Sequence, residues 1–149
     1  MRTDAQAWLD RSANNNYPQA QSIYGLQLLK QKKDEEAQLW LEKAHANGIS
    51  ATNLFLGKLY FEQESYEKAY PFLIKAKEKG AANYMLAKMY ENALGVKKNS
   101  VLAYRHYKSA HELAYDNYEA DMKRLQKRLT KKERQAAKYV AKKEAVRVK

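Results

Sequence analysis

The sequence predicts an all-α fold, about eight to nine helices stacked as antiparallel pairs in one solenoid domain over residues 1–149. Three observations carry that expectation. Good helix formers (Ala, Leu, Lys, Glu and Gln) dominate the composition. Only five Gly and two Pro are present, too little turn chemistry to join many short strands. The third observation is a frame that recurs four times, at offsets of 32, 32 and 34 residues. Its copies are Ala5, Trp8, Arg11, Ser12; Ala37, Trp40, Lys43, Ala44; Ala69, Phe72, Lys75, Ala76; and Ala103, His106, Ser109, Ala110.

Between these copies lies a second frame with a small residue at its centre: Tyr24, Gly25, Leu28; Leu56, Gly57, Tyr60; and Leu86, Ala87, Tyr90. Spacings of three, four and seven place each frame on one face of a helix. Two helices per unit follow, A and B, each burying its face against the other and against the next pair.

The first B-type helix is expected near 4–14 and stands without an A helix of its own, so the array opens in mid-unit; it either caps the next pair or continues an N-terminal piece. Tyr17 and Pro18 break the chain after it, and an A helix follows near 18–31. B helices are expected near 34–46, 66–78 and 100–113, and A helices near 50–62 and 81–92. Asp34, Ser50, Ser65 and Asn99 have side-chain oxygens suited to the free amides of a first turn. Asn16, Gly48, Gly80 and Ala114 occupy the turn after each B helix, and the first three tolerate a left-handed C-terminus. Pro71 is expected in the first turn or two of its helix. A closing pair near 115–128 and 131–146 is joined at Thr130 and Glu133, a capping box. The repeat units are thus an orphan helix over 4–16, pairs over 17–48, 49–80 and 81–114, and basic capping helices over 115–149.

Charge is unevenly placed. Residues 121–149 hold 12 of the 28 Lys and Arg but only Asp121, Glu133 and Glu144 among the acids, a net +9, leaving +2 for the rest. There is no Cys, so disulfides and thiolate metal sites are excluded. No apolar run reaches the roughly 20 residues of a membrane helix, so no membrane span is expected. Met1 to Asp10 has no apolar signal core, which makes the cytoplasm the default compartment, with periplasm or secretion if a leader has been removed. His45, His106 and His111 do not have ligand spacing, and neither a nucleophile elbow nor a Gly-rich phosphate loop is present. No catalytic residue, metal or cofactor is expected.

At Leu86, Ala87, Tyr90, Gly95, Val96, Asn99, Ala103, Ser109 and Ala110 the chain resembles the Sel-one-like repeats (SLR), relatives of the tetratricopeptide repeats. In that family the A helix carries Leu-Gly-x-x-Tyr, the loop Gly-x-Gly-Val-x-x-Asp and the B helix Ala-x-x-Trp-x-x-Lys-Ala-Ala. Here Ala93 takes the first loop Gly position and Asn99 the Asp position. The earlier units have shorter loops, nine residues from Leu28 to Ala37 and from Tyr60 to Ala69 against thirteen from Tyr90 to Ala103. The resemblance covers roughly residues 4–114. It implies a right-handed superhelix serving as a scaffold or adaptor for a protein or peptide partner, often in bacterial signalling, secretion or host interaction.

In that superfamily the A helices line the concave surface, so the contact residues expected here are Ser22, Leu26 and Leu29; Leu54, Lys58 and Phe61; and Tyr84, Lys88 and Glu91. The row mixes apolar anchors with charge, which suits an extended or helical peptide. The bland alternative is that Leu26, Leu54 and Phe61 pack between units. Trp8, Trp40, Phe72 and His106 are expected in the core. In the closing pair, Met122, Leu125, Leu129, Ala136, Tyr139 and Val140 form apolar faces that cover the end of the stack. Lys123, Arg124, Lys127, Arg128, Lys131 and Lys132 form a basic patch that offers weak binding to nucleic acid or another anionic partner.

Overall fold

The computed structural model describes residues 3–113, 115–116 and 118–138. Its helices are α1 (Asp4–Asn14), α2 (Pro18–Lys30), α3 (Asp34–Ala46), α4 (Thr52–Glu62), α5 (Tyr66–Lys75), α6 (Gly80–Asn92), α7 (Ser100–Glu112) and α8 (Glu119–Arg128). A further helical run covers 131–138, and no strand occurs among the described residues. The expected helical stretch 139–146, with Tyr139 and Val140, lies outside the described residues, as does Ala114. Three pairs, α2 with α3, α4 with α5 and α6 with α7, form the body of the stack. α1 packs on α2, and α8 packs on α7.

Each paired B helix centres its buried stripe on the small positions and on the residue after the ring, whereas Ala5 of α1 is exposed. Ala37, Leu41 and Ala44 are fully buried, as are Ala69 and Leu73, and Ala103, Tyr107 and Ala110. A ring three residues after the Ala lies roughly 60° to one side of that stripe at 3.6 residues per turn. Trp40, Phe72 and His106 are therefore only half-buried, and Trp8 is 62% exposed, contrary to the expectation of four core rings. The small A-helix residue is needed for close approach. A Cβ on Gly25 would stand 2.8 Å from Leu41 Cγ, and one on Gly57 2.6 Å from Leu73 Cδ2.

The caps differ from the sequence expectation in detail. Asn99 accepts Leu102 N–H at 3.0 Å, and Thr130 accepts Glu133 N–H at 3.1 Å. Asp34 is already helical, Ser65 stands at its N-cap without a side-chain bond, and at Ser50 it is the carbonyl that takes Asn53 N–H. A full capping box forms instead between Thr3 and Gln6. Asn16 and Gly48 take positive φ after their helices, but Gly80 opens α6. Pro71 is the sixth residue of α5.

Candidate protein-binding surface

Within each pair the A helix supplies a tyrosine that covers the ring of the following B helix. Tyr24 meets Trp40 edge-on at 5.2 Å, Tyr60 stacks on Phe72 at 5.6 Å, and Tyr90 stacks on His106 at 5.6 Å with an interplanar angle of 6°. Polar bonds add to this. Tyr60 donates to Glu42, Gln63 Nε2 donates to Gln38 Oε1 at 2.7 Å, and the Tyr70 and Tyr90 hydroxyls share a bond of 2.7 Å. Burial and the Tyr70 hydroxyl push Tyr90 up to about 12.

A buried amide recurs four residues before each small A-helix position, at Gln21, Asn53 and Asn83. Gln21 reaches Ala13 O and Asn16 Oδ1 at 3.4 Å and accepts Asn47 Nδ2 at 3.0 Å. Asn83 donates to Lys77 O at 2.7 Å and Lys79 O at 3.1 Å, so its Oδ1 is left to accept His106 Nδ1–H at 2.9 Å. Gln21 and Asn83 thus tie B-to-A turns to the stack, whereas the buried Asn53 Oδ1 makes no hydrogen bond among the described residues. The sequence signal for them was present, since Gln21 and Asn53 recur at the repeat offset of 32, but a polar residue does not stand out in an apolar frame.

Burial holds His106 down at about 4, with the Arg105 and Lys77 charges acting in the same direction. The unfolded chain therefore binds this proton more readily than the folded one. Stability from this group is fully present above pH 6.5 and falls as the pH drops towards 4. The loss is expected to be about 2 kcal/mol, below the full linkage value because the ring is partly exposed. Urea unfolding of the parent and of His106→Phe checks it. The advantage of the parent at pH 7.5 should shrink or reverse at pH 4, and a constant difference excludes the effect.

The nine expected contact residues divide into two groups. On α2 and α4, Ser22, Leu26, Leu29, Leu54 and Phe61 are half-buried and Lys58 is exposed. Leu26 and Leu29 lean on the Leu41, Leu56 and Leu59 cluster, while Leu54 and Phe61 lean on the cluster containing Leu73, Met85 and Leu86. They thus line the seams between pairs and leave part of each side chain outside. Beside them Ile23 is 49% exposed, an apolar side chain that the frame analysis did not single out.

On α6 the corresponding residues are engaged by α8. Tyr84 donates to Asp121 Oδ2 at 2.6 Å and packs on Tyr107 and Tyr115, while Lys88 Nζ lies 4.9 Å over the Tyr84 ring. Glu91, 6% exposed, pairs with Arg124, which also holds Asp121 Oδ1 at 2.7 Å. Glu91 and Tyr84 are therefore not open contacts as expected from the sequence. Burial pushes Asp121 up, but the Tyr84 and Arg124 hydrogen bonds outweigh it and hold the carboxyl below its ordinary value. The hydrogen bond to Glu91, then that to Asp121, raises Arg124.

Arg124 consequently leaves the basic patch and becomes part of a clasp. Lys123, Lys127, Arg128, Lys131 and Lys132 are exposed. Leu125 and Leu129 are buried against the end of the stack, and Ala137 is buried as well; Ala136, expected on that face, is exposed. Among the described residues, no three His, Cys, Asp or Glu come together as a metal site. No helix among them is long and apolar enough to cross a membrane.

Paired helices repeating in register, with covered rings and buried amides at the turns, define a helical-repeat solenoid. No family model and no curated protein matches the chain. Among solved structures, a protective antigen present in uropathogenic Escherichia coli strains, described as displaying an SLR fold, is similar to it with a TM-score of 0.75 and 24% identity over 95% of this chain. The chain spans 33% of the length of that one. The protein has the SLR fold.

Proposed function

We propose that the protein is a non-enzymatic scaffold that takes a partner peptide or helix along its A-helix face, in the bacterial setting that the resemblance implies. Proteins of this fold typically bind other proteins, and one observation supports that reading here: the half-buried row Leu26, Leu29, Leu54 and Phe61, flanked by exposed Ile23 and Lys58. Such a row offers apolar anchor sites beside a solvated charge, without disturbing the core when occupied. The partner lies across α2 and α4, because α8 covers the matching part of α6.

A second reading, binding of an anionic partner through Lys123, Lys127, Arg128, Lys131 and Lys132, is favoured by their common exposure on the closing helices. One pull-down separates the two. Ile23→Glu with Lys58→Glu touches only exposed positions, so the variant should fold as the parent does by circular dichroism and lose the partners that the parent retains at 0.5 M salt, roughly where surface charge is screened. Full retention by the folded variant overturns the first reading. Partners lost with salt, and lost again when the five basic residues become Gln, belong to the second.

A further inference from the structure

Charge is divided between the two helical layers. The A helices α2, α4 and α6 carry Glu62 and Glu91 as their acids, and Glu91 is already held by Arg124. The B helix α3 alone carries Asp34, Glu35, Glu36 and Glu42 against Lys43. On the A side three lysines form a row. Lys58 and Lys88 directly follow the small residues Gly57 and Ala87, and each stands two residues after a fully buried leucine, Leu56 or Leu86. Two residues turn a helix through about 200°, so both side chains leave on the side away from the core. Lys123 likewise stands two residues before buried Leu125. It comes level with Lys88, because Tyr84 and Glu91, which bracket Lys88 on α6, bond to Asp121 and Arg124, which bracket Lys123 on α8. Lys58 and Lys123 are exposed, and Lys88 is half-buried over the Tyr84 ring. Lys58 meets Glu62 at 4.0 Å with both side chains more than half exposed, a loose pair that a closer carboxylate can replace. On α2 the same frame position is apolar, the half-buried Leu26.

We propose, building on the reading of the A-helix face as a partner site, that the partner is an acidic amphipathic helix laid across the A helices, with carboxylates seven residues apart that meet Lys58 and Lys88. Spacing selects the helix. Packed helices such as α4 and α6 lie roughly 8 to 10 Å apart, and a helix rises about 1.5 Å per residue, so one step along the stack takes about two helical turns. The same face of the partner therefore returns at each A helix. An extended chain covers that step in about three residues and turns alternate side chains away, which breaks the match. One step before the first carboxylate an apolar residue falls over Leu26, and one step after the second a further acid reaches Lys123. The apolar part thus rests on α2 and α4, and beyond α4, where α8 covers Tyr84 and Glu91, contact is made by charge.

A displayed library of helical peptides is the probe, selected on the immobilised full chain at about 0.15 M salt, where surface charges still act over roughly 8 Å. Its apolar positions vary among Leu, Ile, Phe and Trp, and the remaining ones among Glu, Gln and Lys. Peptides that bind should be enriched in Glu at positions seven apart. Lys58→Glu in the protein should weaken them roughly tenfold, and exchanging the facing Glu for Lys should restore most of the loss. Lys88→Gln should weaken them as well. Lys75→Glu is the control: Lys75 is exposed on the B helix α5 and also stands two residues after a buried leucine, Leu73, so binding should be unchanged. Circular dichroism checks that every variant folds as the parent does. Peptides that are lost with Ile23→Glu but show no enrichment in Glu overturn this proposal and leave the A-helix reading standing, whereas recovery of no peptide overturns both. Labelled single-stranded DNA is the counter-probe. If it binds, is lost with Lys58→Glu, and no acid is enriched among the peptides, the row belongs to nucleic acid and the proposal is overturned.

Discussion

Gly95→Ala is expected to lower the free energy of unfolding by about 4 kcal/mol, the sum of a left-handed backbone penalty and forced overpacking. Gly95 holds φ at +66° in the loop between α6 and α7, where that loop rests on the start of α5. A Cβ there would lie 2.7 Å from Tyr66 Cβ and 2.8 Å from both Glu67 N and Tyr66 C. Two of these are backbone atoms, which cannot rotate aside. Gly48 is the control, since it also has positive φ, +92°, but nothing lies within 4 Å of its added Cβ. Gly48→Ala should cost only the conformational share, about 1 kcal/mol. Urea unfolding of the two variants reads the difference, and equal losses would show that the contact with Tyr66 and Glu67 contributes nothing.

Arg124→Ala is expected to cost about 3 kcal/mol, the lower end of the range for breaking a buried pair, because the Arg124 side chain is itself 44% exposed. The loss arises at the other partner. Glu91 is buried, its Oε2 already makes no hydrogen bond among the described residues, and without Arg124 its carboxylate is left uncompensated. Removing both partners in a Glu91→Met, Arg124→Leu variant should recover most of the stability. Lys127→Ala, one turn along the same helix and exposed, should change it by less than about 0.5 kcal/mol. If Arg124→Ala and Lys127→Ala have the same small effect, the clasp does not hold α8 in place.

The sequence made the repeat readable because its signal is local and periodic. Ala37 and Ala44, or Ala69 and Ala76, lie seven residues apart on a helix and report the buried stripe directly. The Gly25 and Gly57 positions were legible for the same reason, as small residues at a fixed place in a frame. Rings were misplaced because large apolar side chains suggest the centre of a core, whereas here the centre is narrow and filled mainly by Ala and Leu, with Tyr107 the fully buried exception among the rings. The clasp was not legible, since Glu91 and Arg124 lie 33 residues apart and neither differs in kind from the solvated charges around it. Trp8 was unreadable in another way. Its helix matches α3 closely in sequence, yet Tyr24 meets the Trp40 ring while Trp8 is 62% exposed.

The ring contacts between paired helices also bear on how the chain reaches this state. Tyr24 and Trp40 are 16 residues apart, Tyr60 and Phe72 12, and Tyr90 and His106 16, so each ring contact closes a short loop at little entropic cost. Every pair can therefore nucleate on its own and recruit its neighbour, and the search for the native state becomes a set of local steps in series instead of one global event.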